Sequence, residues 1–140
     1  MMEVQTVIQG VNGMDMRFLS TKVHGAIDYI VGLALILAPM IFSFQDIGGA
    51  AVYVPVILGA SLILYSLLTR YEWGVFKLIS MYYHMVLDIV VAVLLILSPF
   101  LFGFINEVPK AWLPQVLVGI VLVVIVLFSE TEAHDKMVTG

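Results

Sequence analysis

The sequence predicts an all-α integral membrane protein: a four-helix bundle built from two parallel-repeat helical hairpins, with both termini cytoplasmic. Three observations carry the prediction. First, 62% of the 140 residues are hydrophobic and only 11% are charged, whereas a soluble domain carries roughly a quarter charged residues. Second, four windows approach the ~20 apolar residues that cross a hydrocarbon core. Third, the second half of the chain overlays the first at a constant offset of sixty residues.

The windows run in order. Val23–Phe44 is the first and carries Asp28 inside it. Ala50–Leu68 follows, with Pro55 near its start. Ile79–Ile105 is the longest, and Trp112–Phe128 closes the set with Pro114 expected in its first turn, where a missing N–H costs nothing. Pro39 and Pro99 sit late in their helices and are expected to kink them. Residues 1–17 read as a loosely ordered tail that lacks the basic start and apolar centre of a signal peptide. Residues 18–72 form the first repeat, 73–132 the second, and 133–140 a polar tail.

Charge sets the orientation. Arg17 and Lys22 precede the first window, Arg70 and Lys77 lie between the second and third, and Lys136 follows the last. Lys110 alone falls on the opposite side. Cationic loops stay in the cytoplasm, so both termini and the middle loop are expected there. Tyr71, Trp73, Tyr82 and Tyr83 are expected at the inner interface, and Tyr53 and Trp112 at the outer one. The lipid bilayer is the expected environment. A net charge of −4 without a basic segment gives no footprint for nucleic acid. The chain has no cysteine, which excludes disulfides, thiolate metal sites, iron–sulfur clusters and thiol redox chemistry.

The repeat needs no gap over more than fifty residues. LILAPMIFSF falls on LILSPFLFGF, Ser20 on Ser80, Gly59 on Gly119 and Glu72 on Glu132. Each hairpin starts from the same side, so the two are related by a pseudo-twofold axis along the membrane normal. Gly59 and Gly119 are expected to be close-packing points between helices.

The duplicated hairpin with these proline-bearing helix ends resembles the SPW-repeat membrane proteins, over about residues 18 to 132. The motif that names the family reads Ala38-Pro39-Met40 and Ser98-Pro99-Phe100 here, so the tryptophan is absent from both copies. The resemblance implies a small multi-pass protein of a bacterial or archaeal cytoplasmic membrane, and implies little about activity.

The candidate chemistry lies in HGAID and HMVLD. His24 and Asp28, like His84 and Asp88, are four apart and share a helix face. An aspartate inside a span costs on the order of 2.5–3.5 kcal/mol at the bilayer centre, so both should point inward. With Glu72 and Glu132 they would form a ring at the cytoplasmic end. Imidazole with carboxylate suits a divalent metal ion such as Zn²⁺, Mn²⁺ or Fe²⁺, and also suits proton transfer. A second reading is structural: Ser20 and Ser80 cap the helices, each histidine bonds its own aspartate, and the acids pair with Lys22, Arg70 or Lys77. The protein would then be an assembly subunit without a ligand. A third uses His24 and His84 as axial ligands of haem b, with Gly25, Ala26 and Gly32 leaving room for the ring. No nucleophile–base pair points to an enzyme. Four spans enclose only a narrow cavity, so ion passage through the membrane calls for a homo-oligomer.

Overall fold

The computed structural model describes residues 17–131. Four helices account for most of them: α1 (Thr21–Ile41), α2 (Gly49–Leu67), α3 (Met81–Leu101) and α4 (Pro109–Phe128). They hold 21, 19, 21 and 20 residues and are apolar enough to cross a membrane. At ~1.5 Å per residue each spans about 30 Å, which matches the hydrocarbon core. Among the described residues there is no strand, only two isolated bridges.

Both odd-numbered helices start the same way. Ser20 and Ser80 have extended backbone, and their hydroxyls accept from the N–H of Val23 (3.3 Å) and Tyr83 (3.4 Å). Each satisfies one of the N–H groups that a helix start leaves without an internal acceptor. Both end the same way too. Pro39 and Pro99 fall in the last turn, as their late position implied, and α1 and α3 stop two residues later. The chain then reverses through a residue at positive φ, Ser43 (53°) in the first repeat and Gly103 (76°) in the second. A short 3₁₀ turn follows in each, Gln45–Ile47 and Phe104–Asn106.

Several expected boundaries move, the first span ending at Ile41 and not Phe44. The third span stops at Leu101, because the turn at Gly103 and the 3₁₀ segment consume its apolar tail. The fourth begins at Pro109, whose fixed φ suits a first helical position. Pro114 therefore lies inside α4, not in its first turn.

α1 packs on α2 and α3 on α4. The hairpins join along α2–α3 and, more lightly, α1–α4, so α1 and α3 face one another across the bundle. Close packing within each hairpin rests on the two matched glycines. A Cβ at Gly59 would lie 2.6 Å from the Gly32 carbonyl oxygen, and one at Gly119 would lie 2.8 Å from that of Ala92. The centre is filled by two repeat-related leucine pairs, Leu35 with Leu95 and Leu62 with Leu122, all fully enclosed. At one end the segments before α1 and α3 clip onto the ends of α4 and α2. Leu19 N–H donates to the Phe128 carbonyl (2.9 Å), as Ile79 N–H does to that of Leu68 (2.8 Å).

Candidate functional site

His24, Asp28, His84 and Asp88 are each 0% exposed and come together between α1 and α3. Their order differs from the expected one. His24 Nε2 lies 2.8 Å from Oδ2 of Asp88, and His84 Nε2 lies 2.8 Å from Oδ2 of Asp28. The contacts to each histidine's own aspartate are longer, 3.2 Å and 3.3 Å. The pairing thus crosses between hairpins. The four atoms form a closed cycle, nitrogen alternating with oxygen, all within 4.8 Å of one another. No lysine or arginine reaches Asp28 or Asp88 among the described residues, so the expected pairing with Lys22, Arg70 or Lys77 does not form.

The outer nitrogens are fixed as well. His24 Nδ1 lies 2.6 Å from Ser129 Oγ, and His84 Nδ1 lies 2.7 Å from Thr69 Oγ1. Each hydroxyl sends its single hydrogen to the carbonyl four residues back, Ser129 to Ile125 (2.5 Å) and Thr69 to Tyr65 (2.6 Å). It must therefore accept from the imidazole, which places a hydrogen on each Nδ1. Both Nε2 atoms are then left facing the carboxylates, to share a proton or a cation with them. Ligand histidines are commonly oriented in this way by a partner on the far nitrogen.

The symmetry ends at the remaining oxygens. Asp88 Oδ1 accepts from the Tyr65 hydroxyl at 2.6 Å, whereas Asp28 Oδ1 is buried with no hydrogen-bond partner. The reason is in the sequence: Ile125 stands where the second repeat would need a tyrosine.

Glu72 is outside this cycle. Both its oxygens accept from Thr21 Oγ1, at 2.7 and 3.0 Å. Glu132 lies outside the described residues. Tyr71, expected at the lipid interface, is 2% exposed and packs its ring on His84, centroids 5.6 Å apart. Burial pushes its phenol pKa well up, so it stays neutral. A Cβ on Gly25 would overlap the Tyr71 ring, and one on Gly32 would lie 2.9 Å from the Gly59 carbonyl. The room expected there for a haem ring is filled by protein, and the His24 and His84 rings lie edge to face at 5.5 Å.

Sequence reasoning missed Thr69, Ser129 and Tyr65. The first two had a signal, since a hydroxyl recurs at that place in both repeats. Tyr65 had none.

A duplicated hairpin of membrane-spanning length with a twofold-related polar cluster defines a class of small repeat membrane protein. A family model described as the SPW repeat domain matches residues 22–129, and the chain belongs to that family. No curated protein and no solved structure matches it.

Proposed function

We propose that the protein is a multi-pass membrane protein that binds a divalent transition-metal cation through His24, Asp28, His84 and Asp88. The observation that carries the reading is the cycle of two Nε2 and two Oδ2 atoms, with sides of 2.8 to 3.3 Å. Four donors set tetrahedrally at ~2.0–2.2 Å from Zn²⁺ stand about 3.3–3.6 Å from one another, so the cycle would open by about 0.5–0.8 Å on its two short sides to admit the ion. Two imidazoles and two carboxylates, with both Nδ1 atoms held by hydroxyls, are a donor set that suits Zn²⁺, Mn²⁺ or Fe²⁺. Two positive charges from the ion would balance two carboxylates in a site without water access. The role is non-enzymatic. The asymmetry of cations, Arg17, Lys22, Arg70 and Lys77 against Lys110, supports a site in the cytoplasmic half of the bilayer.

A second reading rests on the cross-pairing. Because each 2.8 Å contact joins one hairpin to the other, the four residues can serve as a tie between repeats with shared protons and no metal.

Elemental analysis of detergent-purified protein, wild type beside Asp28→Asn/Asp88→Asn, separates the two. Near-stoichiometric Zn, Mn or Fe in the wild type, lost in the variant, is the expected result. A metal-free wild type that takes up none of these ions on titration, beside a less stable variant, would leave the tie as the reading.

A further inference from the structure

The two flanks of the cluster are built differently, and the difference is one-sided. On the first flank the Tyr71 ring fills the space above Gly25, with Tyr29 and Ser66 nearby on α1 and α2, and it touches His84. The positions sixty residues on are Thr131, Met85, Ile89 and Val126. All four of those residues line a cleft of about 160 Å³ between α3 and α4. The place taken by an aromatic plug in one repeat is therefore bordered by a cleft in the other, with the buried Met85 and Val126 side chains on its inner wall. Through the pseudo-twofold relation, this cleft stands toward His24 as Tyr71 stands toward His84. Asp28, whose Oδ1 has no partner, lacks its donor because of the same repeat: Ile125 replaces the tyrosine on α4. A buried carboxylate oxygen without a donor is unfavourable, and a bound cation would offset that cost.

We infer that the cluster is loaded and unloaded from one flank only, through the Met85–Val126–Thr131 cleft, with Asp28 as the carboxylate that exchanges its cation. Asp88, held by Tyr65, stays in place, and Tyr71 closes the other flank. The cleft has room for several waters, so a partly hydrated divalent ion fits it. Met85, unbranched and flexible, is the side chain that must swing for passage. Arg17 stands at the rim, its guanidinium on the Ser129 carbonyl at 3.4 Å. This inference rests on the metal-binding reading.

The absence of cysteine makes the test clean. Thr131→Cys places one thiol at the mouth, on an exposed residue. Protein loaded with Zn²⁺ is mixed with excess chelator, and release is followed with a zinc-responsive dye, before and after capping the thiol with a benzyl thiosulfonate. Capping should slow release at least tenfold and leave the equilibrium Zn²⁺ content unchanged. The same cap at Tyr83→Cys, exposed on the opposite groove of α3, should change the rate by less than twofold. Met85→Gly/Thr131→Tyr, which rebuilds the plug, should reproduce the slowing without reagent. Release from capped Thr131→Cys within twofold of the uncapped protein, or equal slowing at Tyr83→Cys, overturns the one-sided route while metal binding stands. A wild type that binds no Zn²⁺ overturns the parent reading and the route together.

Discussion

Tyr65→Phe deletes one atom and tests how the cluster is charged. The hydroxyl donates to Asp88 Oδ1 at 2.6 Å, both residues are buried, and no other donor reaches that oxygen. A hydrogen bond between neutral side chains in a membrane protein contributes about 0.6 kcal/mol on average. One to a charged acceptor contributes about 1.5–3 kcal/mol, and loss of the donor also leaves the acceptor unsatisfied. For an ionised Asp88 we expect a loss of about 2 kcal/mol, close to thirtyfold in the unfolding equilibrium. Reversible unfolding in mixed micelles with increasing SDS would read it, with Tyr53→Phe as an exposed control expected to change nothing. A loss of about 0.6 kcal/mol or less would refute the reasoning, because a carboxylate that does not feel the removal of its donor is not carrying charge.

Four further outcomes follow from the geometry. Ser43→Gly should stabilise the protein by about 1 kcal/mol in the same assay, since Ser43 holds a φ of 53° where the other repeat already has Gly103. Gly59→Ala should destabilise it by about 1–3 kcal/mol, because the new methyl would sit 2.6 Å from a backbone oxygen that cannot yield; unchanged stability would mean the hairpin is looser than described. Tyr71→Thr should open the closed flank and speed Zn²⁺ release severalfold, and a rate equal to wild type would show that the ring seals nothing. Arg17→Gln should raise the rate of Zn²⁺ uptake, most visibly at low salt, by removing a like charge from the rim.

Much of the architecture was legible because the bilayer imposes strict terms. Runs of apolar residues set α1 to α4 to within a few positions, whereas α1 and α3 start at Thr21 and Met81, directly behind the serine caps, and not at Val23 and Ile79 where the apolar windows began. The misplacement of Pro114 came from starting α4 at Trp112, where hydropathy rises, whereas the helix starts at Pro109, where the backbone allows it. The site was half legible. Periodicity puts His24 beside Asp28, and duplication says that His84 and Asp88 match them, but neither gives the distance between α1 and α3. That distance decides which histidine meets which aspartate, and the bundle resolves it in favour of the cross pairs. Tyr71 shows the same limit, since a tyrosine near a helix end in a membrane protein suits either lipid headgroups or the interior. The choice depended on a contact with Gly25, forty-six positions away in the sequence.

The clips at the helix ends bear on gene architecture. Leu19 is joined to Phe128 by the same backbone bond that joins Ile79 to Leu68, so the four helices close into a ring with two equivalent seams. Only one seam is bridged by a continuous chain. A circular permutant that links residue 131 to residue 17 and opens between Leu101 and Pro109 would keep every bond of both seams. To the bundle, which helix is translated first is then an accident of where the ring was cut.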